Sequence, residues 1–150
     1  MSIPRILGAA SVVSYLLAMC LPSIAYENSI LAGWEVTYFC ALFSFAQSME
    51  LGDRGPFIFG TLSNLLFLFG ITFFLGRLFF RWSWLRDVVP CLISATSLLC
   101  SVACVSIAGM WRTGLLFGFY LWILSPMLLF LGSLIWCLQP RNTTESGHSK

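Results

Sequence analysis

Two long apolar runs are separated by the segment Arg77-Leu78-Phe79-Phe80-Arg81-Trp82-Ser83-Trp84-Leu85-Arg86. Arginines near the ends of transmembrane helices favour the side that is not translocated, and tryptophans prefer the headgroup level of the bilayer. The segment therefore predicts a short cytoplasmic loop between two membrane-spanning helices. Its three arginines, Arg77, Arg81 and Arg86, are candidates for contact with the phosphates of anionic lipids.

The composition of the whole chain agrees with this interpretation. Of 150 residues, 59% are apolar and 9% are charged, whereas soluble domains carry about 25% charged residues. The mean hydropathy is +0.90. A formal net charge of +2 is too small to indicate nucleic-acid binding. We therefore expect membrane lipids and a membrane protein, or a second copy of this chain, as partners.

Four apolar stretches are long enough to cross a bilayer, which takes about 20 helical residues. They predict spans over residues 4–25, 57–76, 88–110 and 115–138. A turn is predicted at Gly52-Asp53-Arg54-Gly55-Pro56, with the proline at the start of the second span. The predicted fold is an all-α, four-helix transmembrane bundle over residues 1–140, followed by a disordered cytoplasmic tail over residues 141–150.

The segment 23–56 is acidic and is predicted to lie on the outer side. Inside it, Val36 to Ala46 is apolar but only about half as long as a span, which predicts a short interfacial helix over residues 35–49. A fifth crossing here is the alternative, and it would place the two termini on opposite sides. Residues 1–25 also admit a cleaved signal peptide, since Arg5 precedes an apolar run that ends at Ser23-Ile24-Ala25.

The distribution of basic residues predicts that both termini are cytoplasmic. Arginine and lysine in the loops beside transmembrane helices accumulate on the cytoplasmic side. Two basic residues, Arg54 and Arg112, fall on the proposed outer side. Six fall on the inner side: Arg5, Arg77, Arg81, Arg86, Arg141 and Lys150.

The last three predicted spans are poor in reactive groups. No Asp, Glu, Lys, Arg or His occurs in residues 57–75, 90–110 or 115–138, which disfavours proton coupling, ion pathways and intramembrane hydrolysis. The single histidine, His148, lies in the tail. Six cysteines without a C-x-x-C pair indicate neither a zinc site nor a thiol oxidoreductase. We therefore predict no catalytic site, no cofactor and no metal.

Two polar features remain open at this stage. Cys20 and Cys40 are both predicted near the outer side, where they would pair in an oxidising compartment. Asn64 lies within the second span, and an asparagine there predicts a hydrogen bond between helices worth about 1 kcal/mol.

Three short motifs resemble those of a loose group of small bacterial four-span inner-membrane proteins. They are Gly33-Trp34-Glu35, Leu62-Ser63-Asn64-Leu65-Leu66 and Gly118-Phe119-Tyr120-Leu121-Trp122-Ile123-Leu124-Ser125. The group's second-span tryptophan is absent here, and Phe119 replaces a tyrosine. The resemblance implies a bacterial inner membrane and four spans, but no reaction. It implies five positions as candidate contacts for a ligand or partner: Trp34, Asn64, Tyr120, Trp122 and Ser125.

Three hypotheses for function follow. The first is a non-catalytic accessory or interaction subunit, including an immunity-type protein that blocks a membrane toxin. The second is the binding or transport of an apolar or lipid-like molecule in a neutral cavity lined by Asn64, Tyr120, Trp122 and Ser125. The third is an enzyme that uses the outer carboxylates or a Cys20 and Cys40 redox pair, and it ranks last because neither set is fixed by spacing.

Overall fold

The computed structural model describes residues 2–26, 29–45, 51–79, 85–107 and 114–139. Within these residues there are five helices and three short strands. In chain order they are α1 (Ile3–Cys20), β1 (Pro22–Tyr26), β2 (Ser29–Ala32), α2 (Gly33–Ser44), α3 (Leu51–Phe79), α4 (Leu85–Ile107), β3 (Gly114–Leu115) and α5 (Phe117–Leu138).

Four of the described helices, α1, α3, α4 and α5, are long and apolar enough to cross a membrane. The qualifying segments are Ile3–Cys20, Arg54–Gly76, Val88–Ser106 and Phe117–Leu138. The helix α2 has 12 residues, so at about 1.5 Å per residue it is too short for a hydrocarbon core of about 30 Å. The prediction of a helical protein with four potential spans is confirmed. The predicted tail lies outside the described residues.

The helices pack in the order α1, α5, α4, α3, with α2 against α3. The centre of the bundle is a cluster of Phe67 and Phe74 from α3 with Leu129 from α5, and Tyr15 of α1 packs against it. The hydroxyl group of Ser11 donates a hydrogen bond of 2.8 Å to the carbonyl oxygen of Ser125, which joins α1 to α5. The first and last described helices are therefore direct neighbours.

Three buried serines join α3 to α4. The hydroxyl oxygens of Ser63 and Ser101 lie 2.6 Å apart, and the hydroxyl group of Ser97 donates to the carbonyl oxygen of Ser63 at 2.9 Å. Because serine is small, it lets two helix backbones approach closely while its hydroxyl group bonds across the interface. Two polar residues of the third predicted span, Ser97 and Ser101, are thus used in packing.

A small antiparallel sheet in the order β2-β1-β3 was not predicted from the sequence. Pro22 ends α1, because proline cannot continue a helix, and the chain turns back as a hairpin in which Ala25 pairs with Ile30. On its other edge β1 pairs with β3, with Ile24 opposite Leu115. The sheet therefore joins the end of α1 to the start of α5.

The predicted turn at Gly52-Asp53-Arg54-Gly55-Pro56 is wrong, because this segment forms the first turns of α3. Proline at the sixth position of the helix removes only the bond to the carbonyl group of Gly52, close to the helix end. Packing against α2 favours the helix, since the ring centroids of Phe43 and Phe57 lie 5.2 Å apart. Tertiary contacts here outweigh the local preference of glycine and proline for a turn.

The predicted interfacial helix over residues 35–49 corresponds to α2, which begins at Gly33 and ends at Ser44. The carboxylate of Glu35 accepts a hydrogen bond of 2.7 Å from the backbone N–H of Ala32, the residue before the helix. This bond satisfies one of the N–H groups that a helix leaves unpaired at its start. Residues 46–50 lie outside the described residues.

Candidate functional site

Four of the five described helices meet at the side chain of Asn64. It projects from α3 and is 7% exposed. Its Oδ1 atom accepts a hydrogen bond of 2.8 Å from Nε1 of Trp122 on α5 and one of 3.2 Å from the hydroxyl group of Tyr15 on α1. Since the indole nitrogen can only donate, it fixes which end of the amide faces α5.

The other end of the same amide faces α2. The Nδ2 atom of Asn64 donates a long hydrogen bond of 3.5 Å to Oγ1 of Thr37, and this hydroxyl group donates to the carbonyl oxygen of Gly33 at 3.0 Å. One amide therefore links α1, α2, α3 and α5. The interhelical hydrogen bond predicted for Asn64 is present and joins more helices than the sequence indicated.

A cavity of about 30 Å³ lies beside this amide. One water molecule needs at least about 10–15 Å³, so the space suits roughly two waters or a single ion. The lining is almost entirely apolar apart from the amide and hydroxyl groups. It consists of Met19, Ser23, Gly33, Val36, Thr37, Cys40, Asn64, Cys104, Phe119 and Trp122.

Three sulfur-containing side chains from three helices share this lining: Met19, Cys40 and Cys104. A Cβ atom placed on Gly60 would lie 3.0 Å from the sulfur of Cys40 and 3.4 Å from that of Cys104. Both sulfur atoms therefore lie within 3.4 Å of the same point beside Gly60. Burial raises the pKa of the Cys40 thiol to about 11, so this thiol is protonated at neutral pH and is a poor nucleophile.

The five candidate contact residues do not converge on one point. Asn64 and Trp122 are hydrogen-bonded and both line the cavity. Trp34 and Tyr120 are each 59% exposed and point out of the bundle. Ser125 is buried, and its hydroxyl group donates to the carbonyl oxygen of Leu121 in its own helix.

The proposed lipid-binding arginines lie at the junction of α3 and α4. Arg77 is in the last turn of α3 and Arg86 is in the first turn of α4. Arg81 falls outside the described residues. Their contact with anionic lipids stays a prediction.

The groups required by the enzyme hypothesis are not brought together among the described residues. All six cysteines are free thiols, and Cys20 is exposed whereas Cys40 is buried next to Cys104. The carboxylate of Glu35 is bound to the backbone of Ala32. Glu27 and Glu50 lie outside the described residues, and Asp53 lies in the first turn of α3.

Tyr15, Thr37, Met19 and Cys104 belong to this site, and the sequence reasoning did not find them. A signal for one of them was present, because Tyr15 falls in the outer half of a predicted span, as Asn64 and Trp122 do. In a bundle with alternating helix direction these three positions have similar depth.

Comparison with family models, with curated proteins and with solved structures found no match to this chain.

Proposed function

We propose that this chain is a non-catalytic, multi-pass protein of the bacterial inner membrane that acts as an accessory or interaction subunit. Its partner in this proposal is another membrane protein, bound through the exposed aromatic face of α2. An immunity-type role, in which the partner is a membrane toxin, is one form of the same activity. Both termini are placed in the cytoplasm.

The filled interior supports a scaffold rather than a passage. Among the described residues, the hydroxyl group of Ser133 is the one buried side-chain polar group that has no hydrogen-bond partner. Asn64 and four buried serines are bonded to neighbouring helices: Ser11, Ser63, Ser97 and Ser101. A cavity of about 30 Å³ is also far too small for a lipid. We therefore expect the partner to bind on the outer surface of the bundle.

The exposed face of α2 is the observation that carries the proposal. Trp34, Tyr38 and Leu42 recur every four residues, and Phe45 follows after three more, so all four lie on one face of the helix. They are 59%, 59%, 50% and 81% exposed. The opposite face, with Cys40, is buried against the bundle. Aromatic side chains are enriched at the centres of protein interfaces and among the residues that contribute most to binding.

The outward face of α4 provides a comparison within the same protein. Its exposed large hydrophobic residues are aliphatic: Val88, Leu92, Leu99 and Val102. Exposed aromatic residues also occur on a helix long enough to span, Phe69 and Phe73 of α3, but α2 presents its rings on a helix that is too short to span. This difference favours a protein partner for α2.

Photocrosslinking tests this proposal. We expect a benzophenone amino acid at Tyr38 to give a protein adduct of discrete mass in the native membrane, and the same probe at Leu99 to give none. The adduct at Tyr38 should decrease at least severalfold when Trp34→Ala is added, because the two side chains share one face. A Leu92→Ala change is the matched control and should leave the adduct unchanged.

The mass of the adduct decides between the possible results. An adduct with a different membrane protein supports an accessory subunit, and an adduct with a second copy assigns the face to self-association. Lipid adducts alone, at Tyr38 as at Leu99, would contradict the proposal.

The predicted orientation has its own measurement. If α1, α3, α4 and α5 all cross the membrane, the two termini lie on the same side, and the basic loop places that side in the cytoplasm. In a bacterial host, a C-terminal green fluorescent protein should therefore fluoresce and a C-terminal alkaline phosphatase should be inactive. An active phosphatase fusion would rule out the cytoplasmic placement.

The alternative function, binding or transport of an apolar or lipid-like molecule, has less support. Of its four lining residues, Asn64 and Trp122 face the cavity and Tyr120 points away from it. A cavity for such a ligand would have to be several times larger. No observation on the described residues favours it over the interaction role.

A further inference from the structure

We propose that Met19, Cys40 and Cys104 form a binding site for a soft monovalent metal ion, Cu(I), in the cavity beside Asn64. This inference is independent of the interaction role proposed for α2. It concerns the interior of the bundle, whereas the proposed interaction face is on the outside.

The fold brings these three side chains together from distant parts of the chain. Met19 lies in the last turn of α1, Cys40 lies in α2 and Cys104 lies in α4, and all three line one cavity. The sulfur of Met19 is 3.6 Å from the hydroxyl oxygen of Thr37, one turn of α2 away from Cys40. The three residues therefore border the same small space.

Gly60 on α3 makes room for the two thiols. Any larger residue would put its Cβ atom 3.0 Å from the sulfur of Cys40 and 3.4 Å from that of Cys104, and 3.0 Å is closer than sulfur and carbon normally approach. Because glycine has no Cβ atom, both sulfur atoms can lie close to the backbone of α3 at this residue. The positions of the Cys40 and Cys104 thiols therefore depend on a glycine at residue 60.

The type of donor indicates the type of ion. Thiolate and thioether sulfur are soft ligands that select Cu(I), whereas zinc takes about four ligands that commonly include nitrogen or oxygen. Among the described residues there is no group of three or more His, Cys, Asp or Glu side chains placed to bind a metal. Two thiols with one thioether therefore fit a low-coordinate Cu(I) ion and do not fit Zn²⁺.

Binding is a ligand exchange without electron transfer. The ion enters as Cu(I), the thiols of Cys40 and Cys104 release one proton each, and two copper–thiolate bonds form while Met19 contributes a neutral third bond. The product carries one net negative charge. The cavity of about 30 Å³ has room for an ion, and the amide of Asn64 lies at its edge to interact with that charge.

A second pair of thiols provides a control. The side chains of Cys91 on α4 and Cys137 on α5 are hydrogen-bonded to each other. Neither of these two cysteines lines the cavity beside Asn64, whereas Met19 does. This pair has the same two thiols without the third sulfur or the enclosed space.

The test is a titration of the full-length protein in lipid nanodiscs with Cu(I), kept reduced by ascorbate without oxygen, in competition with bicinchoninate. We expect one Cu(I) per chain and a copper environment of three sulfur atoms by X-ray absorption. Cys40→Ser and Cys104→Ser should each weaken binding at least about tenfold, since even the loss of an outer-shell partner costs about 10–100-fold in affinity. The double variant Cys91→Ser with Cys137→Ser should bind as the unaltered protein does.

Two further variants separate metal binding from folding. Met19→Leu conserves volume, so it should keep the circular dichroism spectrum and the midpoint of thermal unfolding while lowering the number of sulfur ligands from three to two. Gly60→Ala should weaken Cu(I) binding because its methyl group enters the space between the thiols. Unchanged affinity in Cys40→Ser, loss of copper only in the Cys91 and Cys137 double variant, or isolation of Cys40 and Cys104 as a disulfide that takes up no Cu(I) would overturn the proposal.

Discussion

Gly118→Ala is expected to destabilise the protein by more than about 2 kcal/mol, because α5 contacts the backbone of the corner between α1 and β1 at this residue. A Cβ atom on Gly118 would lie 2.7 Å from the carbonyl oxygen of Pro22 and 2.8 Å from that of Leu21. These are backbone atoms, so no side chain can rotate away to relieve the overlap. We would measure the free energy of unfolding in mixed micelles titrated with sodium dodecyl sulfate.

The same substitution at Gly76 is the matched control. Gly76 also lies in a helix, and a Cβ atom there would meet no described residue within 4 Å. Alanine is the better helix former, so Gly76→Ala should leave the free energy of unfolding unchanged or raise it by up to about 1 kcal/mol. Equal effects of the two substitutions would contradict the close approach of α5 to this corner.

Asn64→Leu is expected to lower the free energy of unfolding by about 2–3 kcal/mol. The change conserves volume but removes the acceptor of two donors, Nε1 of Trp122 and the hydroxyl group of Tyr15. Hydrogen bonds between transmembrane helices average about 0.6 kcal/mol, and a buried donor left unpaired costs about 1–3 kcal/mol. The unpaired donor already includes the lost bond, and both donors are only partly buried, so two values from the low end of that range give the expected result.

Thr72→Val, in the same helix, is the control for Asn64→Leu. The hydroxyl group of Thr72 is exposed and donates to the carbonyl oxygen of Leu68 within α3, so its loss should cost less than about 0.5 kcal/mol. An intrinsic tryptophan fluorescence spectrum should also shift in Asn64→Leu, because the indole N–H of Trp122 loses its partner. If Asn64→Leu were as stable as Thr72→Val, the amide would not hold the helices together.

The helices were predictable and the sheet was not, for reasons that lie in the range of the interactions. A span needs about 20 apolar residues in succession, and that signal is local. The pairing of Ile24 with Leu115 joins segments that are far apart in the chain, and β3 has only two residues. Glycine and proline at 52–56 predicted a turn, but the packing of Phe43 on Phe57 outweighed them.

The candidate site was found only in part, because apolar helices do not reveal which face points inward. Asn64 stood out as a polar residue in a span, and Trp122 came with the motif that resembles the small four-span proteins. Tyr120, from the same motif, lies two residues from Trp122, which is about 200° around a helix. These two residues were therefore on opposite faces, and both could not line one cavity. The partners Tyr15 and Thr37 required the packing of α1 and α2 to be known.

Because α1 packs on α5, the folded bundle can form only after α5 has been synthesised. The hydroxyl group of Ser11 and the carbonyl group of Ser125 are 114 residues apart, so α1 is synthesised long before its main neighbour. The helix pair α3 and α4 can form in the meantime, since its contacts are closer in sequence. Until α5 has been made, the hydroxyl group of Ser11 lacks the acceptor that it has in the folded protein, and a chain arrested before Phe117 leaves this side of α1 uncovered.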